Sequence, residues 1–299
     1  MNTCAKDLLS LYIMTNQKTE NTNINQPANP TLDLDPWAHL KTFTRARIAL
    51  GRVGSSLPTK EVLDFGLAHA MARDAVHLPL DTEALASQIE AIGFSTVQLH
   101  SRAPDRSSYL LRPDWGRRLN EESLATLKLA TQLNLATELQ LTKQQSAIDL
   151  MIVIGDGLSS LAISNHAVPL LAAMQALIPT NWLIGKVAIV KQARVAIADE
   201  IGEACNARLT IMLIGERPGL SSPDSLGIYI TYAPQLSFND ANRNCISNVR
   251  PQGLNYEAAA KKMMWLVKEA MRLQVSGVAL KDESDAVQIE VQNTLNINS

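Results

Sequence analysis

The most informative segment of the chain is Leu150-Met151-Ile152-Val153-Ile154-Gly155-Asp156-Gly157-Leu158-Ser159-Ser160. It begins with a hydrophobic run that does not alternate, which is typical of a parallel strand covered on both faces. The two glycines permit a tight turn, and the two serines can cap a following helix. The segment therefore predicts a strand, a turn and a helix, the beginning of an α/β unit.

Similar hydrophobic runs, rich in β-branched residues, flank this segment and alternate with helical stretches. Strands are predicted at residues 148–154, 185–190, 209–214 and 228–232, and helices at residues 158–177, 198–207 and 257–274. This alternation is the pattern of a parallel sheet with crossover helices. We therefore predict an α/β fold with a Rossmann-like, mostly parallel sheet in a domain that spans residues 147–281.

The first half of the chain predicts a smaller, mainly helical domain at residues 35–146. Asp35-Pro36-Trp37 is typical of a helix start, and residues 59–71 have the spacing of a buried helix. A strand is predicted at residues 94–100. Residues 1–34 are largely polar and contain many Asn, Gln, Thr and Pro residues, so we predict a flexible N-terminal segment and linker. Residues 282–299 are predicted to be a flexible C-terminal tail.

Composition excludes several classes of partner. With 299 residues, of which 46% are hydrophobic, the chain can bury a sizeable core. Its formal net charge of -2 gives no basic surface for nucleic acid or anionic lipid, and no hydrophobic run is long enough to span a bilayer. Cys4, Cys205 and Cys245 are odd in number and far apart, so we predict neither a disulfide framework nor a metal site, and a reducing, cytoplasmic location.

The loops that follow the strands are the expected binding positions, because sheets of this kind bind ligands at the carboxyl ends of their strands. Gly155-Asp156-Gly157 is a partial dinucleotide fingerprint that lacks the third glycine, so it fits either a ligand loop or a plain turn. Glu216, in Gly215-Glu216-Arg217-Pro218-Gly219-Leu220, could bind a polar ligand or pair locally with Arg217 or a helix N-terminus. Cys245 lies in the polar segment 240–248 and is either functional or a small buried hydrophobe.

Several segments, in one order, resemble the light chain (small subunit) of ethanolamine ammonia-lyase. The similar segments are residues 45–54, 69–76, 109–119, 155–160, 194–195, 199–203, 215–220 and 244–248. The resemblance covers most of the chain. Its most specific motifs are Gly155-Asp156-Gly157-Leu158-Ser159-Ser160 and Asn244-Cys245-Ile246-Ser247-Asn248.

This resemblance implies an adenosylcobalamin-dependent hetero-oligomer that converts ethanolamine to acetaldehyde and ammonia by radical chemistry. The large subunit would bind ethanolamine, and this chain would supply no catalytic residue and would not be active alone. The corrinoid would lie between the subunits, against Val195, Glu216 and Cys245. The further cofactor or interface candidates are Arg194, Asp156, Gly157, Arg217 and Asn244. The family also suggests a location inside a bacterial microcompartment.

Two alternatives remain open. The first is a stand-alone nucleotide-binding α/β enzyme that uses the Gly155 loop. The five histidines, His39, His69, His77, His100 and His166, all lie outside the strand-end loops, so no self-contained acid-base set is visible in the sequence. The second alternative is a non-catalytic assembly subunit whose loops make only subunit contacts.

Overall fold

A computed structural model of the protein describes residues 37–44, 46–142 and 147–284. The predicted segment 1–34 and residues 285–299 of the predicted tail lie outside these ranges. The chain divides into two compact units, Met1–Gly54 and Ser55–Ser299. In the described part of the first unit, Ala38–Thr42 forms a 3-10 helix without buried residues. The second unit contains the sheet.

One mixed sheet of six strands organises the described part of the chain, in the spatial order β1-β3-β2-β4-β5-β6. The strands are β1 (Thr96–His100), β2 (Leu150–Gly155), β3 (Val187–Lys191), β4 (Leu209–Gly215), β5 (Leu226–Tyr232) and β6 (Asn244–Val249). The first four are mutually parallel, whereas β5 runs antiparallel to β4, and β6 antiparallel to β5. The predicted α/β class is confirmed.

The direction of β5 corrects one expectation. The strand predicted at residues 228–232 exists, but it is not part of a parallel arrangement. Residues 216–225 connect β4 to β5 without a helix, and a parallel pair would need a longer crossover connection. A hairpin-like return is therefore the only direct way to place β5 beside β4.

Seven α-helices are found within the described ranges. They are α1 (Thr59–His77), α2 (Thr82–Ala91), α3 (Arg106–Leu111), α4 (Glu121–Thr142), α5 (Ser160–Gln175), α6 (Ile197–Ala204) and α7 (Tyr256–Leu273). The three helices predicted in the second half are confirmed as α5, α6 and α7. Ser159 caps α5 by accepting a hydrogen bond from the Ala162 amide (3.2 Å), as the serine motif predicts.

Two apolar layers cover the sheet. On one face, Ile152, Ile154 and Leu213 pack with residues of α5 and α7, such as Leu170 and Met263. On the other face, alternate residues of the same strands pack against α4 and α6; this second layer includes Met151, Val153, Met212, Ile214, Leu127, Ile197 and Ile201. Burial of each large apolar side chain stabilises the fold by about 1.5–3 kcal/mol. Coverage on both faces explains why β2 has no alternation.

The strand predicted at residues 94–100 is confirmed as β1, and it belongs to the same sheet as the strands of the second half. Its residues pair in parallel with β3, from Thr96 opposite Val187 to His100 opposite Lys191. One compact unit, Ser55–Ser299, therefore spans the position near residue 146 where the sequence predicts a boundary. The domain boundaries themselves stay predictions.

The helix predicted at residues 59–71 is confirmed and extends to His77, but its predicted burial is wrong for this chain. Leu63 and Leu67 are 67% and 56% exposed, and Ala75 is the one buried residue of α1. The apolar spacing is typical of a buried helix, yet no other element among the described residues covers this face of α1. No helix in the described part of the chain is long and apolar enough to cross a membrane.

Candidate functional site

The carboxyl ends of β2, β3 and β4 lie along one edge of the sheet, and the Asp156 carboxylate joins two of the loops there. Its Oδ1 accepts from the Ala193 amide (2.9 Å) and its Oδ2 from the Gln192 amide (3.0 Å). The guanidinium of Arg106 lies 3.5 Å from Oδ2. Burial raises the pKa of the Asp156 carboxyl, and the Ala193 amide and Arg106 oppose that rise. Asp156 thus holds the loop after β3 from inside the protein.

Gly157 allows the loop after β2 to contact the end of β4. Its φ is +57°, and a Cβ there would lie 2.2 Å from the Gly215 carbonyl oxygen. The Leu158 amide donates to the same carbonyl (3.0 Å), and the Ser159 amide donates to the Asp156 carbonyl (3.2 Å). The turn after β2 therefore uses its glycine and these two amides to pack within the chain.

Arg194 lies in the loop after β3 and is also held within the chain. Its guanidinium stacks on the Tyr109 ring at 4.2 Å, and Arg106 stacks on that ring at 4.7 Å. Arg194 Nη2 donates to the Tyr109 carbonyl (3.2 Å), and the Tyr109 hydroxyl donates to the Ala193 carbonyl (2.9 Å). Burial raises the pKa of the Tyr109 phenol, so it remains a neutral donor. This cluster fixes the backbone immediately before Val195.

Val195 is half-buried and packs against the apolar layer formed with α4 and α6. It leads into α6, which begins at Ile197. Its position combines a partly accessible apolar side chain with a backbone that the preceding loop holds in place. Val195 therefore lies at the rim of the edge where β2, β3 and β4 end.

Glu216 follows β4 directly, and its carboxylate is oriented by two donors from other segments. Its Oε2 accepts from the Ser225 hydroxyl and from the Asn248 amide (3.3 Å). A Cβ at Gly227 would lie 3.1 Å from Glu216 Oε1, so the carboxylate covers that glycine. Arg217 is exposed. The local pairing of Glu216 with Arg217 that the sequence left open is not what orients this carboxylate.

Cys245 lies on β6, directly opposite Tyr229 of β5. Its side chain is exposed and lies 3.4 Å from the Ser247 hydroxyl. The interpretation of Cys245 as a small buried hydrophobe is therefore wrong. The polar segment around it also contains β6, although its sequence pattern does not predict a strand.

Tyr229 lies opposite Cys245 on the neighbouring strand, and the sequence pattern did not identify it as a site residue. It is half-buried, and its pKa is raised by burial, then by the neighbouring Cys245 and Glu216. Tyr229 lies two residues after Gly227, so both present the same face of β5. A polar residue among the hydrophobic neighbours Ile228 and Ile230 is the signal that could have identified it.

The two faces of β5 and β6 differ in how they are covered. Ile228, Ile230 and Ile246 face the layer under α7 and are buried. On the other face, Gly227, Tyr229, Cys245 and Ser247 form a polar surface beside Glu216, which we call the β5–β6 shelf. Tyr229 and Val195 both pack on the apolar layer of this second face. The structure thus brings Val195, Glu216 and Cys245 to one face of the sheet.

Asn244, at the start of β6, is used to hold the chain after α7. Its Nδ2 donates to the carbonyls of Leu280 (2.9 Å) and Gly277 (3.2 Å), and its Oδ1 accepts from the Gly277 amide (2.7 Å). These three bonds satisfy most of the capacity of the side-chain amide. The side chain of Asn244 is therefore directed to the segment 277–280 rather than to the shelf.

A buried histidine lies against the loop that follows Glu216. His166 Nε2 is 3.2 Å from Asp224 Oδ2, and its Nδ1 is 2.8 Å from the Tyr256 hydroxyl. The hydrogen bond from His166 lowers the pKa of the Asp224 carboxyl, although burial opposes this effect. Asp224 precedes Ser225, so this contact fixes the residue that orients Glu216. Sequence spacing gave no sign of this contact.

In the described part of the chain, no group of three or more His, Cys, Asp or Glu side chains is placed to hold a metal ion. The remaining binding capacity lies at the β5–β6 shelf. It consists of the Glu216 carboxylate, the Tyr229 phenol and the Cys245 thiol. These groups can accept or donate hydrogen bonds to a polar ligand.

Comparison with known proteins gives one consistent family. The family model described as ethanolamine ammonia-lyase light chain (EutC) matches residues 34–281. The chain is 52% identical over 268 residues to the ethanolamine ammonia-lyase small subunit of Pseudomonas putida strain KT2440, covering 89% of this chain and 94% of that protein. It is 50% identical over 271 residues to the small subunit of Pseudomonas syringae pv. tomato (89% and 91% covered) and 49% identical over 261 residues to that of Ralstonia nicotianae (87% and 93%).

Proposed function

The chain belongs to the ethanolamine ammonia-lyase light chain family, and from this premise we propose that it contributes one wall of an adenosylcobalamin site. The other wall would come from the large subunit, which binds ethanolamine. The complex would convert ethanolamine to acetaldehyde and ammonia. This chain would not be active alone and would supply no catalytic residue. Part of the proposal is that the sheet acts as a Rossmann-like cobalamin-contacting unit.

The observation that carries the proposal is that Val195, Glu216 and Cys245 all lie on the same face of the sheet. These residues are far apart in sequence, and the resemblance assigns all three to the corrinoid. The β5–β6 shelf, which contains Cys245 and lies beside Glu216, is on the face of β5 and β6 opposite α7. A site shared by two subunits needs such a surface, because the ligand must contact this chain on one side only.

The residue types on the shelf fit this cofactor. A corrin ring has a broad apolar surface with a periphery of amide side chains, which are hydrogen-bond donors and acceptors. Glu216 can accept from an amide through Oε1, since both of its hydrogen bonds from described donors go to Oε2. Val195 offers an apolar contact, and Cys245 offers a small side chain that can pack closely. When bound, adenosylcobalamin supplies radical chemistry through its carbon–cobalt bond.

The chain's own residues would bind the cofactor and orient it. Ser225 and Asn248 hold the Glu216 carboxylate in one direction before any ligand arrives, which lowers the entropy cost of binding. Asp156 fixes the loop that ends at Val195. A phenol is protonated at neutral pH, and burial raises the pKa of Tyr229 further, so Tyr229 would be a neutral hydrogen-bond donor on the shelf.

The turn after β2 gives a reason to prefer this proposal over a stand-alone nucleotide enzyme. Phosphate-binding turns present free amides at a helix N-terminus. Here the amides of Leu158 and Ser159 are bonded to carbonyl groups of Gly215 and Asp156. The Asp156 carboxylate beside them would also repel a phosphate. Arg217 remains an exposed candidate for contact with the large subunit.

The remaining parts of the proposal concern assembly and location. We propose a hetero-oligomer with the large subunit, in the cytoplasm and within a bacterial microcompartment. A purely assembling role is the competing proposal. It predicts that cobalamin leaves hydrogen exchange in the Glu216 and Cys245 segments unchanged, whereas a cofactor wall predicts slower exchange there.

Activity in reconstituted mixtures tests the main proposal. Deamination of ethanolamine with adenosylcobalamin would be measured for this chain, for the large subunit of the same organism, and for the two co-expressed. We expect activity only in the mixture. Activity of this chain alone, or none in the mixture, would contradict the proposal.

The Glu216→Gln variant tests the role of the carboxylate in the same complex. Loss of a charge-assisted hydrogen bond costs about 1.5–3 kcal/mol, so cobalamin should bind about tenfold to a hundredfold more weakly. Glu257→Gln on exposed α7 surface is the matched control and should bind cobalamin normally. Equal affinity of the Glu216 and Glu257 variants would remove Glu216 from the site.

A further inference from the structure

Helix α1 carries an apolar stripe that is exposed in the part of the chain that the structure describes. Leu63, Gly66, Leu67 and Ala70 are spaced so that they share one face of the helix, and all four are exposed. Val62 extends the stripe and is 53% exposed. An apolar stripe of this kind normally faces a protein core, and contiguous apolar patches on a surface mark interaction sites. The sequence pattern is that of a buried helix, although the stripe is exposed in the described part of the chain.

Gly66 lies in the middle of the stripe and leaves open space above the helix. A Cβ at this position would meet no atom within 4 Å, and the backbone of Gly66 is ordinary helix. Glycine in the interior of a helix is destabilising relative to alanine, so neither conformation nor packing within the described chain explains it. A flat gap between Leu63 and Leu67 allows close approach of another backbone.

The end of α1 is tied to the edge that carries the cofactor candidates. Arg106 Nε donates to the Val76 carbonyl (2.6 Å), and Arg106 Nη1 donates to Gln192 Oε1 (3.2 Å). The Ser160 hydroxyl donates to the Leu78 carbonyl. Gln192 lies in the loop after β3, and Ser160 is the first residue of α5, directly after the turn that follows β2. The helix therefore extends from the rim of the proposed site.

We propose that the stripe Val62-Leu63-Gly66-Leu67-Ala70 of α1 is a docking surface for the large subunit of ethanolamine ammonia-lyase. This inference rests on the proposed function, because the corrinoid wall must face that subunit and α1 ends at the same edge of the sheet. The polar residues around the stripe, such as Lys60, Asp64 and Asp74, carry both signs of charge. The surface therefore fits an apolar helix or groove rather than a strongly charged partner.

Gly66→Gln is the sharpest test, because it fills the gap without removing any contact of the free chain. Replacing an exposed helical glycine should leave the thermal midpoint of the free chain unchanged or higher. Binding to the separately tagged large subunit, measured by titration, should weaken about thirtyfold or more, as expected for a central interface residue. Leu63→Asp should weaken binding similarly, and circular dichroism would check that the helix persists.

Asp64→Asn is the matched control, since Asp64 is exposed on α1 but lies off the stripe. It should bind the large subunit within about twofold of the unmodified chain, which is the scatter expected of a surface change. If the unmodified chain binds and all three variants bind equally, the docking surface is wrong while the proposed function stands. If the unmodified chain does not bind the large subunit, the proposed function fails and the docking surface fails with it.

Two other occupants would overturn the inference. A second copy of this chain would appear as a dimer of the free protein that Leu63→Asp dissociates in sedimentation experiments. The chain's own residues 1–34 would appear as protection of α1 from hydrogen exchange that is lost when those residues are deleted. If the docking proposal is right, Leu63→Asp leaves the oligomeric state of the free protein unchanged. Protection of α1 from hydrogen exchange then increases only when the large subunit is added.

Discussion

Replacing Asp156 with asparagine should destabilise the chain, even though the two side chains have nearly the same shape. The carboxylate offers one oxygen to the Ala193 amide and the other to the Gln192 amide. An asparagine has one acceptor oxygen, so one of these two backbone donors would face an NH2 group. Asp156 is buried, and water cannot replace the missing acceptor.

The size of the effect follows from these contacts. Leaving one buried donor without a partner costs about 1–3 kcal/mol, and the remaining bond loses its assistance from charge, about another 1 kcal/mol. The same substitution also removes a buried charge, whose desolvation raises the pKa of the Asp156 carboxyl. This relief offsets part of the loss. We expect a net decrease of about 2 kcal/mol in the free energy of unfolding.

Urea denaturation of the free chain, followed by circular dichroism, measures this change. The midpoint should fall without a change in the slope, and a thermal midpoint should fall by about 4–8 °C. Asp114→Asn is the control, because Asp114 pairs with Arg112 at the surface and should change stability by less than about 0.5 kcal/mol. A loss below about 0.5 kcal/mol for Asp156→Asn would refute the view that this carboxylate holds the β3 loop.

Three further predictions concern the surroundings of the shelf. Tyr109→Phe should lower the free energy of unfolding by about 1–2 kcal/mol, because the Ala193 carbonyl loses its donor, and urea denaturation would show it. The hydrogen bond from His166 holds the pKa of Asp224 below its ordinary 3.8. The stability from this contact should therefore be present above about pH 4 and be lost as the pH falls further. In Asp224→Asn, the free energy of unfolding should depend less steeply on pH in this acid range. Brief alkylation followed by mass spectrometry should label exposed Cys245 before Cys205, whose pKa burial raises, and equal labelling would contradict the accessibility of the shelf.

The apolar runs were sufficient to locate most of the sheet. Residues 148–154 and 209–214 consist largely of side chains that only a strand covered on both faces can bury, and both became central strands. The Ser159 cap was equally local, since a helix start needs a side-chain acceptor close in sequence. Such features depend on the residue itself and its near neighbours.

The strand β6 shows where local reasoning fails. Asn244, Ser247 and Asn248 have low strand propensity, and only Ile246 and Val249 are buried. The strand forms because β5 provides hydrogen-bonding partners and Asn244 is tied to the chain after α7. These partners are remote in sequence, so no pattern within residues 240–248 predicts the strand.

The candidate site also has parts that the sequence predicts and parts that it does not. The resemblance gave Val195, Glu216 and Cys245 as positions, but it could not give Tyr229 or the orientation of Glu216 by Ser225 and Asn248. The sequence suggested Arg217 as a local partner of Glu216, because they are adjacent. The tertiary structure places the Asn248 amide there instead, since β6 returns beside β5.

By itself, the sequence determined the α/β class, the positions of the main strands and helices, and the family, because these depend on hydrophobic runs, capping residues and ordered motifs. Only the tertiary structure decided the direction of β5, the exposure of α1 and the single face that Val195, Glu216 and Cys245 share. Strand direction depends on the connection that returns the chain, and exposure depends on whether another layer is present to cover a face. Both are relations between distant segments, and local side-chain patterns do not encode them.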